Sequence, residues 1–311
     1  MKKFTSVHDA GEVQPLVRHA IEIKNGSGAP NIGKGKTLGL FFMNPSLRTR
    51  LSTQKAAYNL GMDVISMNLN QDGWKIEFDH GTIMDGDSQE HIKDAVKVMS
   101  SYCDVIGVRT FASLENKEKD YNEEILNAFV QYSEAPVISL ESATRHPLQS
   151  LADLVTIEEL KISKPKVVVS WAPHPKSLPQ AVPNSFLEWI SHTDAEVVLT
   201  HPEGYGLSPT FTEGISITHN QKEAFKDADV IYVKSWSSFE KYGENNGEFR
   251  DWVINEEKMR LTNEAHFMHC LPIRRNVIAT DGVIDESMIY TQAKNREYAA
   301  QAVLEKIVKG L

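Results

Sequence analysis

Sulfur chemistry is nearly absent from this sequence. Its 311 residues include only two cysteines, Cys103 and Cys270, far apart and outside any CxxC spacing, which argues against a disulfide framework or a cysteine-based zinc site. They read as reduced thiols of a cytosolic protein. Long apolar runs are missing too. No stretch approaches the roughly 18 residues of a membrane span, and Lys2 and Lys3 are followed by no apolar segment of the kind an export signal carries. Positive charge is scarce: 33 Lys and Arg stand against 42 Asp and Glu, a net charge of −9 with a pI near 5.7. That balance argues against a nucleic-acid or anionic-membrane surface, either of which needs a basic face. Tandem repeats and low-complexity tracts are also absent. What remains is a globular chain long enough for about two domains, with no need of metal or disulfide staples.

Short β-rich runs alternate with segments of helical period. The first series is TLGLFF (37–42), DVISMN (63–68), DVIGVR (104–109) and PVISL (136–140), with Ile92, Ala95, Val96 and Met99 marking one intervening helical face. A second series is KVVVSW (166–171), EVVLTH (196–201), DVIYVKS (229–235) and HFMHCL (266–271). This pattern predicts an α/β protein of two doubly wound parallel-sheet domains, 1–145 and 146–291. The last segment, 292–311, carries Ala300, Val303, Leu304 and Ile307 on one face, as a helix packing back on the first domain would. WAPHPKSLPQAVPNS (171–185) holds four prolines in eleven residues and is expected to be an extended loop.

Three polar clusters stand out, two of them closing a strand and one following it, which is where α/β proteins bind ligands. In FFMNPSLRTRLS, Asn44 is placed as an N-cap and Pro45 as the first helical residue. The N–H groups of Ser46, Leu47 and Arg48 would then point at one spot, joined by the Ser46 and Thr49 hydroxyls and the Arg48 and Arg50 guanidiniums. Such a spot is a polydentate phosphate site; the plain alternative is a solvated helix start. LESATRHPLQS supplies Glu141, Arg145, His146 and Gln149, and MHCLPIRRN supplies His269, Cys270, Arg274 and Arg275. Each residue alone has a structural reading, His146 as a capping group and Cys270 as a small buried hydrophobe. Nucleotide motifs fail. PNIGKGKT (30–37) has Pro30 where a P-loop needs glycine, and VVVSWAPHP lacks the G-x-G-x-x-G of a dinucleotide fold.

Taken in order, SLRTR, RHPLQS and HCLP resemble the motifs of the aspartate/ornithine carbamoyltransferase family. Ornithine-specific members carry an SMG-containing loop before HCLP, whereas VKSW (233–236) and HPEGY (201–205) are similar to the N-acylornithine branch over nearly the whole length. In that branch acetyl-specific enzymes have a glutamate before EHI and a lysine after RRNV; this chain has Gln89 and Ile278. Succinyl-specific members have proline and a hydrophobic residue at these positions, so Ile278 sides with them and Gln89 matches neither branch; argued from charge, a neutral amide would not repel succinate's free carboxylate as glutamate would.

The resemblance implies carbamoyl transfer from carbamoyl phosphate to the side-chain amine of N-succinylornithine, giving N-succinylcitrulline and phosphate in arginine biosynthesis. N-acetylornithine is the alternative acceptor, and an inactive phospho-ligand-binding paralogue the non-enzymatic one. It implies a cytoplasmic homotrimer with shared active sites, Trp74 and Gln89 acting in the neighbouring subunit, and a knotted second domain threading the proline-rich loop. No cofactor and no metal are called for. Carbamoyl phosphate falls to Ser46, Leu47, Arg48, Thr49, Trp74, Arg109, His146, Gln149 and Leu271, with Arg109, His146, Gln149 and Cys270 as the catalytic set. The acylornithine falls to Gln89, Glu141, His174, Lys176, Lys234, Cys270, Leu271 and Arg274, whose cations suit an acceptor with no α-ammonium.

Overall fold

The structure is a computed structural model and describes residues 1–244, 247 and 249–311. The chain folds into two compact units. The first comprises Met1–Ser113, Glu118–Leu148 and Arg296–Leu311; the second comprises Leu114–Lys117 and Gln149–Asn295.

The first unit contains strands β1 (Lys3–Phe4), β2 (Thr37–Phe42), β3 (Asp63–Asn68), β4 (Ile76–Glu77), β5 (Glu90–His91), β6 (Val105–Arg109) and β7 (Val137–Glu141). Five of them form a wholly parallel sheet in the order β1-β7-β6-β2-β3, while β4 and β5 pair separately. Strands β6 and β7 are buried at every residue and β2 at all but its first, as expected when helices cover both faces of a parallel sheet. Packing at the centre is tight. A Cβ on Gly39 would lie 2.6 Å from the Cys103 sulfur and 2.7 Å from the Phe41 ring, so glycine is required by close approach. Phe41, Ile92, Val96, Ile106 and Phe129 fill the core on one side.

The second unit repeats the plan with β8 (Lys166–Trp171), β9 (Glu196–Thr200), β10 (Ser216–Thr218), β11 (Val230–Lys234) and β12 (His266–Met268). These are all parallel, in the order β10-β9-β8-β11-β12. Val168, Phe225, Ile231, Ile254 and Ile278 form its core. In each sheet the chain runs outward in both directions from a central pair, β2 and β6 in one and β8 and β11 in the other. The crevice beyond the carboxyl ends of such a pair is the topological switch point. The loops after β2 and β6, and those after β8 and β11, are therefore placed to hold ligands.

Three expectations change in detail. The helix after β2 is Arg48–Asn59, not one starting at Pro45. Asn44 is drawn away from capping because its Oδ1 accepts the Phe111 N–H at 3.1 Å. The proline-rich loop ends earlier than expected, at the helix Ala181–Ile190. Pro183 sits in that helix's first turn, where a missing N–H costs no intrahelical bond. The unit boundaries fall at Leu148 and Arg296, where the sequence pattern puts them at 145 and 292. The shift at the second has a physical cause: Asn295 donates to Thr156 and Glu159 in the second unit, and Glu297 accepts from Asn59 in the first.

Among the described residues no helix is long and apolar enough to cross a membrane. None of their His, Cys, Asp and Glu side chains cluster in threes to hold a metal ion.

Candidate active site

In the first unit the donors converge on the switch point. The first-turn N–H groups of Arg48, Thr49 and Arg50 precede the first i to i−4 bond, Leu51 N–H to Leu47 C=O at 3.0 Å, so the helix opens with donors outside the intrahelical ladder and a positive dipole end. Ser46 is half-buried, Leu47 exposed and Thr49 buried. Arg50 lies over the Phe42 ring at 4.9 Å, a structural contact.

Arg109 closes β6 and is buried. Its Nη1 donates to the Pro45 carbonyl at 2.8 Å and the Asn44 carbonyl at 3.3 Å, while Nε and Nη2 donate to Glu141 Oε2 at 3.1 and 2.8 Å. All three nitrogens are thus already donating, and Arg109 ties the loop after β2 to the end of β7. Glu141, assigned from sequence to the acylornithine, is placed here as the carboxylate partner of Arg109. His146 is buried beside them, its Nε2 3.8 Å from Glu141 Oε2.

Sequence reasoning missed two residues of this cluster. Arg296, on the terminal helix Ile289–Val308, donates from Nη2 to Thr49 Oγ1 at 2.6 Å and approaches His146 Nε2 at 3.5 Å. The Thr49 hydroxyl hydrogen is thereby turned elsewhere as a donor. A signal was available: Arg296 lies on the same helical stripe as Ala300, Val303 and Ile307, where a charge is out of place. The second is Glu123, whose carboxylate accepts from Ser142 Oγ, Ala143 N–H, Thr144 N–H and Thr144 Oγ1. Burial outweighs these four donors and pushes its pKa above the usual carboxylate range. It holds the loop that leads to His146.

Trp74 and Gln89 form a separate exposed group. Trp74 Nε1 donates to Glu90 Oε2 at 2.8 Å, and the Gln89 N–H to the Lys75 carbonyl at 2.9 Å.

In the second unit the remaining residues gather at its own switch point. His174 and Lys176 follow β8, Lys234 ends β11, and Cys270, Leu271 and Arg274 follow β12. His174 Nε2 accepts from Arg274 Nε at 3.1 Å, and Nδ1 meets the Lys176 carbonyl at 2.8 Å. That pattern belongs to a neutral imidazole. Burial, with Arg274, Lys234 and Lys176 nearby, holds its pKa below the usual histidine range, opposed only by the Lys176 carbonyl. His174 therefore orients Arg274 and is not itself the cation expected for an acceptor carboxylate. Leu271 adopts a left-handed backbone, φ 59°, and its N–H donates to His269 Nδ1 at 2.9 Å. Cys270 is buried. Gln149, also buried, donates from Nε2 to Asp153 at 2.7 Å.

Comparison with known proteins matches both halves. Residues 2–159 fit the carbamoyl-P binding domain of aspartate/ornithine carbamoyltransferases, and residues 180–307 fit their Asp/Orn binding domain. The chain is 52% identical to N-succinylornithine carbamoyltransferase of Bacteroides thetaiotaomicron, over the full length of both. It is 34% identical to N-acetylornithine carbamoyltransferase of Xanthomonas campestris, over 99% of this chain and 98% of that protein. A crystal structure of N-acetyl-L-ornithine transcarbamylase, in a glutamate-to-alanine variant complexed with carbamyl phosphate and N-succinyl-L-norvaline, superposes with a TM-score of 0.93 at 34% identity, covering 99% of this chain and all of that one. Two donor-lined switch points, a buried Arg109 and Glu141 between motif loops, and full-length likeness to these enzymes make the chain a carbamoyltransferase of the aspartate/ornithine carbamoyltransferase family.

Proposed function

We propose that this carbamoyltransferase moves the carbamoyl group of carbamoyl phosphate to the side-chain amine of N-succinyl-L-ornithine, releasing phosphate and N-succinyl-L-citrulline in arginine biosynthesis. The observation that carries the acyl assignment is the 52% identity over full length to a succinyl-specific relative, against 34% to acetyl-specific ones. Gln89 supports it, being neutral where the resemblance puts glutamate in acetyl-specific enzymes. Removing a like charge favours an acceptor with a second carboxylate, and glutamate-replaced variants of an acetyl enzyme are found complexed with a succinyl compound.

The reaction needs no covalent intermediate. The amine attacks the carbamoyl carbon, a tetrahedral oxyanion forms, and phosphate leaves; positioning and electrostatics supply the rate. In our reading Ser46, the Leu47 N–H, Arg48 and Thr49 take the phosphate with Trp74 of a neighbouring copy. Arg109, preset by Glu141, and His146 polarise the carbamoyl oxygen. Gln149 and the Leu271 carbonyl accept from the carbamoyl NH2 group. Lys176, Lys234 and Arg274 face the acceptor's carboxylates, and Cys270 and Leu271 orient its amine.

The shared-site trimer belongs to the same proposal. An apolar groove of about 320 Å³ on the first unit is lined by Phe41, Ile65, Met67, Trp74, Val98 and Tyr102. Of these, Ile65, Trp74, Val98 and Tyr102 are 41 to 71% exposed, and a contiguous patch of this kind marks an interface. A second copy of this chain is its occupant, placing Trp74 and Gln89 in trans. The knotted second unit and the cytoplasmic setting follow the family in the same reading.

The deciding experiment measures citrulline-type product from carbamoyl phosphate with ornithine, N-acetylornithine and N-succinylornithine. The succinyl compound is expected to turn over fastest, and Gln89→Glu to weaken it selectively. Faster acetyl turnover would assign the other acceptor; binding of carbamoyl phosphate with no turnover of any would assign a binding paralogue.

A further inference from the structure

Asp153 lies in the helix Pro147–Glu158, fully buried, among Leu151, Ala152, Leu154 and Val155. A carboxylate there is costly to desolvate and is not needed to pack the helix. Its oxygens nevertheless collect donors from three elements of the second unit. Oδ1 accepts from Gln149 Nε2 and from Gln292 Nε2, each at 2.7 Å, and Oδ2 accepts from the Tyr232 hydroxyl at 2.9 Å.

The chemistry of those bonds sets direction. A carboxylate only accepts, so each amide must turn its NH2 toward Asp153 and its carbonyl oxygen away. For Gln292 the result is visible: its Oε1 accepts the His269 N–H at 2.9 Å, directly before Cys270 and Leu271. For Gln149 the same constraint sends Oε1 to the side opposite Asp153, presenting an acceptor.

We propose that Asp153 is a positioning residue for carbamoyl transfer, fixing through one oxygen the amide orientation of both Gln149 and Gln292. Gln149 then offers a carbonyl oxygen to the carbamoyl NH2 group, and Gln292 anchors the backbone that carries Cys270 and Leu271. One buried charge thereby aligns two motif segments, 147–153 and 269–271, that are far apart in sequence. The inference rests on the reading of Gln149 given above.

The test uses the full-length enzyme with Asp153→Leu, Gln149→Ala and the double variant, measuring kcat/KM for carbamoyl phosphate and the inhibition constant of inorganic phosphate. Leucine keeps the approximate shape but removes both acceptor oxygens, so neither amide is held with its NH2 inward. Each single variant should lower kcat/KM about 10- to 100-fold, the loss of one well-placed hydrogen bond. Phosphate inhibition should stay within about twofold, and the double variant should be no worse than the worse single one. Normal kcat/KM in Asp153→Leu beside an impaired Gln149→Ala, multiplying penalties, or a parallel loss of phosphate affinity would overturn the proposal. A harmless Gln149→Ala would instead sink the role of Gln149 itself. Gln149→Glu keeps Asp153 and guards against misfolding of the leucine variant. The introduced carboxyl, when protonated, can donate to Asp153 and turn its carbonyl outward, so this variant should regain activity as pH falls, with an apparent pKa well above that of an ordinary glutamate. A flat profile would refute the Asp153 contact.

Discussion

Replacing Glu141 with glutamine tests whether Arg109 is held by charge. Both side chains are buried, with Arg109 8% and Glu141 7% exposed, and a single oxygen of Glu141 accepts from two guanidinium nitrogens. Removing one partner of a buried pair costs about 3 to 5 kcal/mol, and because glutamine retains an acceptor the low end, about 3 kcal/mol, applies. For a unit of this size each kcal/mol moves the melting temperature by about 2 to 4 °C, so Glu141→Gln should melt about 6 to 12 °C lower in calorimetry without ligand. The guanidinium then lacks its counter-ion. Inorganic phosphate should therefore raise the variant's melting temperature by more than the wild type's, and kcat/KM for carbamoyl phosphate should fall as the loop holding Asn44 and Pro45 loosens. A shift under about 2 °C with equal phosphate increments would refute the argument, showing that the backbone carbonyls and the Phe111 ring, 4.5 Å away, suffice to place Arg109.

Lys258 gives a stability test of opposite sign. Its ammonium is buried against Gln221 and the carbonyls of Asp251 and Val253, and burial pulls it down to about 8. An unfolded lysine titrates near 10.4, so between these values the unfolded chain holds the extra proton and unfolding free energy rises with pH. Urea midpoints from pH 8 to 10 should show that rise, and Lys258→Met should flatten it. His174 predicts a kinetic effect: below the ordinary histidine range its protonation sets a cation against Arg274. The KM of the acylornithine should then climb while that of carbamoyl phosphate holds, and His174→Gln should remove the dependence. At the apolar groove, Tyr102→Glu should shift sedimentation from three times 34.9 kDa toward a single chain. Activity should fall with it, since Trp74 would no longer reach a neighbour.

Both sheets were legible because their strands are short apolar runs rich in β-branched, leucine or phenylalanine residues, and the site loops because parallel strands deliver ligand residues at their carboxyl ends. Thr37–Phe42, Asp63–Asn68 and Lys166–Trp171 match the sequence reading residue for residue. What sequence could not give is which donor meets which acceptor. Asn44 has every local credential of an N-cap, yet its oxygen is taken by Phe111, sixty-seven residues away. His174 looks like a cation among lysines until its Nε2 is seen accepting from Arg274. Arg296 and Asp153 sit in helices whose period marks their positions as core, so their charges become informative only once their partners are known.

Ile278 shows where this separation between pattern and contact matters most. The resemblance uses it as a marker of the succinyl acceptor, but the residue is 1% exposed and packed in the core with Val168, Ala172 and Ile254. It cannot mark the acyl group by touching it from there. Its backbone N–H bonds the Arg274 carbonyl at 2.9 Å, and the Asn276 N–H bonds the Ala279 carbonyl at 2.7 Å, so the turn 274–279 is pinned by the burial of Ile278. A lysine at 278 would have to draw its ammonium out of that core, and the turn would open. In the proposed site the apolar residue would act through Arg274, whose guanidinium lies against His174, where the proposed anionic acyl chain would be met. Direct discrimination by charge is left to Gln89, and the two positions should respond differently to substitution: Gln89→Glu should change which acceptor is preferred, whereas Ile278→Ala should weaken every acceptor that Arg274 holds.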